Sequence, residues 1–240
     1  AVECGVRAIG TEKPMAHTLE EADRMVEACT AVGVPLCCGA IPVNHPSYAR
    51  ARELVYNGAL GQILSIEAEA PHSQKQHWSY FLDSACAWVV GTGDRARREA
   101  GSDEFAGQGM GVALDGQVVH FRKGAGLLCV SGTEGEIQLG RGYPGGWRLW
   151  QDVDISGGRQ RVEMPWPDPQ LVGGYNAVYG LADLIDCLEG RLDEPKNSGR
   201  RVAAALEVEI ALKQSSARGG ERVDLPFEDR SQGLNYDWFR

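Results

Sequence analysis

The chain has 240 residues, 43% hydrophobic and 24% charged, enough to bury a sizeable core in one large domain or two small ones. A formal net charge of -9 and a pI near 5.1 exclude an electrostatic footprint for nucleic acid, which needs clustered Lys and Arg. No run approaches the roughly 18 apolar residues of a membrane span, the first residues form no signal peptide, and the seven cysteines include no C-x-x-C pair. A cytoplasmic protein with reduced core thiols and no metal site is expected.

Residues 1–5 read as a helix end stopped by glycine, and residues 6–10 as a buried parallel strand that delivers Thr11, Glu12, Lys13 and Pro14 to its carboxyl end. Thr18-Leu19-Glu20-Glu21 is a capping box. Leu19, Ala22, Met25, Val26, Cys29 and Val32 follow at helical spacing until Gly33. Residues 34–41 are a second buried strand, so the opening reads helix end, strand, helix, strand, the pattern of a parallel α/β sheet. Pro46 suits the first turn of another helix that stops at Asn57-Gly58, and residues 62–71 alternate like a strand.

From residue 86 to 162 the pattern changes to short β-rich runs broken by glycine: 87–90, 109–114, 118–122, 127–131, 136–139 and 148–155. Asp115-Gly116 is a hairpin signal between two of them, and an antiparallel sheet is expected. Residues 164–169 carry three prolines in a short rigid loop. Two helices then span 175–189 and 199–218, with Val178, Leu181, Ile185 and Leu188, and then Val202, Leu206 and Ile210, as their expected buried stripes. Residues 221–225 make a last strand.

Glu12-Lys13-Pro14 is the most informative local feature. Ligands of open α/β sheets bind at the carboxyl edge of the strands, and a partly desolvated lysine there can polarise a hydroxyl or the ketone formed from it. Three such common residues also suit a surface turn.

The run from Gly10 to Ala16, then Glu20-Glu21-Ala22, His45-Pro46 and Asn57-Gly58-Ala59-Leu60-Gly61-Gln62-Ile63, resembles the Gfo/Idh/MocA family of glucose-fructose oxidoreductases, inositol dehydrogenases and rhizopine dehydrogenases. The end of the chain is similar too, through residues 183–191, Ser198-Gly199, 204–212, Ser215-Ser216 and Val223-Asp224-Leu225-Pro226. The resemblance implies an N-terminal Rossmann domain binding NAD or NADP, followed by a C-terminal α/β domain with a large, mostly antiparallel open sheet that holds substrate and packs in a homo-oligomer. It implies Lys13 as a catalytic residue contacting both nicotinamide ribose and the reacting hydroxyl, Glu12, Lys13 and Pro14 on the cofactor side, and a cis Lys13-Pro14 bond. By the same comparison, residues 1–43 are the end of the dinucleotide-binding domain. Residues 44–240 are the substrate and oligomerisation domain, with the last helix packing back toward the N-terminal part.

Two departures qualify this. Such enzymes open with a strand and a G-x-G-x-x-G turn that holds the pyrophosphate, and neither precedes Ala1. A truncation of roughly 100 residues, at about 30 or more per βαβ unit, is therefore expected, with dinucleotide bound poorly or not at all by this chain. Gly91-Thr92-Gly93-Asp94-Arg95-Ala96 fits G-x-G-x-x-A, but hairpins follow it, and it reads as a decoy. The second departure is the Asp and His four residues apart that the inositol-type enzymes carry. The equivalent stretch, residues 71–83, has no D-x-x-x-H. His77 is the nearest candidate base and His72 the next, each also suited to a satisfied surface histidine. His45 and Tyr175 are candidates to line the substrate site, with Trp88, Trp147, Trp150 and Trp166 divided between sugar stacking and core packing.

The expectation is an NAD(P)-dependent oxidoreductase acting on a secondary alcohol of a sugar or polyol. The alternatives are a cofactor-independent sugar hydratase or lyase, and a non-catalytic sugar-binding or dimerisation module.

Overall fold

The computed structural model describes residues 1–39, 42–71, 77–82, 84–94, 103–122, 128–140, 146–167 and 176–236. Their strands and longer helices are β1 (Ile9–Thr11), α1 (Leu19–Thr30), β2 (Leu36–Cys38), α2 (Pro46–Tyr56), β3 (Ile63–Ala68), β4 (Cys86–Thr92) and β5 (Gln108–Ala113), followed by β6 (Val118–Phe121), β7 (Leu128–Gly132), β8 (Gly135–Leu139), β9 (Trp147–Ile155), β10 (Gly158–Met164), α3 (Asn176–Leu188), α4 (Gly199–Ala217) and β11 (Val223–Asp224). Short 3-10 turns occupy Val2–Cys4, Pro42–Asn44 and His77–Tyr80.

β1 and β2 pair in parallel, Ile9 opposite Leu36 and Thr11 opposite Cys38. The helix between them starts as its sequence dictates: the Thr18 side chain accepts from the Glu21 amide, and the Glu21 side chain accepts from the Thr18 amide. Alternation along the strands sends Leu36 and Cys38 into a buried cluster with Leu19 and Ala22 of α1 and Val202, Leu206 and Ile210 of α4. The other face meets α3, where a Cβ on Gly10 would touch Leu184 and one on Gly180 would lie 2.9 Å from the Asn44 amide.

The second sheet, nine-stranded among the described residues, runs β10-β9-β8-β7-β3-β6-β5-β4-β11. It is antiparallel except where β3 lies parallel to β6. Gly116, at φ 89, makes the expected turn between β5 and β6. One face packs Ile66, Val119, Val130, Ile137 and Leu149 against Val55, Trp78, Phe81 and Leu212. Each such side chain contributes about 1.5–3 kcal/mol by burial. α4 serves both cores, with Val202, Leu206 and Ile210 in one and Ala205, Val208 and Leu212 in the other. It can lie flat on β4 because Gly91 has no side chain: a Cβ there would stand 2.4 Å from the Leu212 carbonyl.

The strand expected to be buried over residues 6–10 is instead β1 at Ile9–Thr11, with none of residues 6–11 buried, and two further readings differ from the structure. The stripe assigned to the core on α3 is exposed, with Val178 at 62%, Leu181 at 59% and Ile185 at 44%. α3 instead buries Gly180, Asp183 and Leu184, because an ion pair between Asp183 and Lys196 and the close approach at Gly180 turn that side inward. β10 was not expected from the sequence at all. Its residues are exposed along most of its length, so it carries no apolar alternation to read. The cysteines are all free thiols, and burial pushes those of Cys37 and Cys86 up to about 12.

Candidate active site

The carboxyl ends of β1 and β2 meet at a small polar corner. The Gly39 amide donates to the Thr11 carbonyl at 2.7 Å, and the Gly39 carbonyl accepts from the carboxamides of Asn44 at 3.1 Å and Asn197 at 3.3 Å. Gly39 sits at φ 83, a conformation glycine adopts freely. From this corner the chain leaves β1 through exposed Glu12 and Lys13 into a cis Lys13-Pro14 bond, as expected, and then into buried Met15 and Ala16. The Lys13 amide donates to the Glu12 carboxylate at 3.3 Å.

Grooves flank both faces of β1. One, of about 470 Å³, runs between the strands and α3, lined by Gly10, Thr11, Glu12, Gly39, Asn44 and Leu181. The other, of about 970 Å³ and mostly apolar, lies on the α1 side beside Ile9, Thr11, Met15, His17 and Met25. β2 is the one strand that β1 pairs with among the described residues, leaving the other edge of β1 open.

His45 does not reach this edge as an exposed group. It is buried at the start of α2, where its Nδ1 lies 2.8 Å from the Ser47 hydroxyl and accepts from the Ser47 amide at 3.2 Å. Its ring meets Tyr179 edge-on at 5.0 Å. Burial, and then the nearby Lys196 charge, hold its pKa below the usual histidine value. His77 opens the 3-10 turn His77–Tyr80. His72 and Tyr175 lie outside the described residues.

Behind the corner stands a charged network with no counterpart in the sequence reading. Lys196 pairs with Asp183, whose second oxygen accepts from the Lys196 amide at 3.0 Å. Arg201 donates to the carbonyls of Pro195 and Lys196 and lies 5.3 Å from the centre of the Tyr80 ring, over which Arg52 also stacks at 4.8 Å. The only available signal was a carboxylate, Asp183, inside an apolar helix, and spacing cannot identify its partner.

Two amides of the Gly91 turn already have partners, the Gly91 amide donating to the Ser215 hydroxyl at 2.8 Å and the Asp94 amide to Ser216 at 3.0 Å, while residues 95 and 96 lie outside the described residues. Among the described residues β4 pairs antiparallel with both its neighbours, unlike the parallel strand that leads into a phosphate-binding turn.

No protein-family model matches the sequence, and no curated relative matches it. Solved structures do. An NAD binding oxidoreductase from Klebsiella pneumoniae superposes with a TM-score of 0.71 at 16% identity, over 95% of this chain and 76% of that one. The protein shares the fold of that NAD binding oxidoreductase. An aldose-aldose oxidoreductase from Caulobacter crescentus, complexed with glycerol, gives 0.63 at 20% identity, over 94% and 74% of the two chains. An inositol dehydrogenase homolog from Azotobacter vinelandii, complexed with NADH and myo-inositol, gives 0.62 at 18%, over 94% and 73%. At these identities the likeness establishes the fold.

Proposed function

We propose that the protein is an NAD(P)-dependent oxidoreductase acting on a secondary alcohol of a sugar or polyol, with Lys13 as its catalytic residue. The observation that carries the reading is Lys13 itself, exposed at the carboxyl edge of a parallel strand in the fold of NAD-binding oxidoreductases. The division is at residue 43, with the cofactor side before it and the substrate side after it.

Thr11, Glu12 and Gly39 line one groove at this edge, with Lys13 next in the chain, and together they suit the nicotinamide end of a dinucleotide. They offer nothing to its phosphates. That task suits further βα units added along the free edge of β1, where both flanking faces are open and apolar. When bound, the nicotinamide supplies hydride chemistry. The Lys13 ammonium holds the substrate hydroxyl and opposes the charge that grows on its oxygen as the proton leaves. The proton acceptor comes from the 72–77 stretch, His77 first and His72 second, and Tyr175 completes the substrate side. His45 acts from behind, setting the start of α2.

The outer face of the large sheet, which presents Glu67, His120, Cys129, Glu136 and Trp150 partly exposed, suits contact with a second copy. None of the described helices is long and apolar enough to cross a membrane, which accords with a cytoplasmic enzyme.

The test is a screen of sugars, inositols and other polyols for oxidation in the presence of NAD or NADP. Turnover should require the dinucleotide, and Lys13→Met should lower it by about a hundredfold or more. Turnover without dinucleotide would favour a hydratase or lyase, and undiminished turnover in Lys13→Met would remove the lysine from the mechanism.

A further inference from the structure

The amides of a helix's first turn have no partners within the helix. In α1 the chain's C-terminal segment supplies them: the Leu19 amide donates to the Gln232 carbonyl at 2.9 Å and the Glu20 amide to the Arg230 carbonyl at 2.8 Å. One step upstream, the Leu234 amide donates to the His17 carbonyl at 2.9 Å, and Thr18 and Gly233 form an antiparallel bridge. The approach is so close that a Cβ on Gly233 would lie 2.3 Å from the His17 carbonyl oxygen. Leu234 and Tyr236 are buried in the same cluster as Met15 and Ala16, the two residues that follow Pro14.

Arg230 secures this segment. Its Nε and Nη2 donate to the two oxygens of Asp23 on α1 at 2.6 and 2.8 Å, and its Nη1 donates to Glu207 on α4. Glu207 also accepts the Phe227 amide at 2.9 Å. Two-pronged guanidinium–carboxylate pairs are directional as well as attractive. On its upstream side the Lys13 turn is held by the pairing of β1 with β2; on its downstream side, residues 15–20 lie against the segment 230–236.

We infer that residues 228–236 form a strap that positions Lys13, with Gly233 as its point of contact and Arg230 as its ionic lock. The inference rests on the reading of Lys13 as the group that meets substrate. Arg230 and Gly233 touch no substrate themselves. They matter because a reacting group displaced by 1 Å loses rate on the order of a hundredfold.

Amide hydrogen exchange on the full chain tests this in the wild type, Arg230→Leu, Arg230→Lys and Gly233→Ala, with kcat and KM for polyol oxidation measured alongside. Exchange at residues 15–20 should rise about tenfold in Arg230→Leu and Gly233→Ala, equivalent to roughly 1.4 kcal/mol of local stability, while β7 and β8 stay protected. kcat should fall with KM little changed, and Arg230→Lys, which keeps the charge without the two-pronged geometry, should recover part of both effects. Unchanged exchange at 15–20 in both variants, or an equal rise in β7 and β8, overturns the strap. A local rise with kcat unaltered overturns its positioning role. If the wild-type chain oxidises no polyol even at millimolar NAD or NADP, which offsets the phosphate contacts these residues do not make, the oxidoreductase reading fails, and the exchange pattern still decides whether the strap holds the turn.

Discussion

Lys196→Met should be among the most damaging single changes outside the apolar core. Asp183 and Lys196 are both buried, so the variant leaves a buried carboxylate whose remaining hydrogen-bond donor among the described residues is the residue 196 amide, 3.0 Å away. Breaking a buried pair from one side costs about 3–5 kcal/mol, because the remaining charge stays desolvated. For a chain of this size, at about 2–4 °C per kcal/mol, Tm should drop by roughly 6–20 °C. The double variant Asp183→Leu/Lys196→Met removes both charges and should recover most of that loss, remaining about 1–3 kcal/mol below the wild type because the residue 196 amide loses its acceptor. Urea unfolding followed by tryptophan fluorescence measures both. A second readout is local: Lys196 is one cause of the low pKa of His45, so that histidine should titrate at higher pH in Lys196→Met, as followed by NMR. A single variant within 1 kcal/mol of the wild type, or a double variant as unstable as the single, would refute the role given to the pair.

Other outcomes follow from the same structure. Leu181→Lys with Ile185→Glu on the exposed stripe of α3 should change stability by no more than about 0.5 kcal/mol per site, checked by urea unfolding, whereas a core stripe would lose several times that. The depressed pKa of His45 means that below about pH 6.5 the unfolded chain takes up a proton the folded chain refuses, so stability falls as the pH drops through that range. His45→Asn, which keeps a capping side chain, should flatten that part of the Tm profile between pH 8 and 5. Gly91→Ala should cost about 1–3 kcal/mol in a thermal melt, since its new methyl would meet the Leu212 carbonyl at 2.4 Å. In a thiol-labelling time course exposed Cys4 should react first, and Cys37 and Cys86 only on unfolding.

Local chemistry was legible wherever one segment carries its own instruction. Thr18 and Glu21 begin α1, Pro46 and Asn57 bound α2, and Asp115-Gly116 turns β5 into β6, because caps and tight turns are satisfied by residues within a few positions of each other. The position of Lys13 was readable for the same reason: it follows the end of β1 by two residues. His45 was not, since a histidine before a proline can face a cleft or, as here, turn back onto Ser47 and Tyr179.

Short-range signals specify the succession of α/β and antiparallel segments, the hairpin, the helix starts and the place of Lys13 just beyond β1. Tertiary structure alone decided which side of α3 faces inward, what Asp183 pairs with, and that Arg230 returns across 207 positions to clasp Asp23 beside the Lys13 turn. The physical reason is range. Periodicity and capping act over a few residues, whereas the burial of a charge or the seating of an apolar stripe depends on which distant surface arrives to cover it.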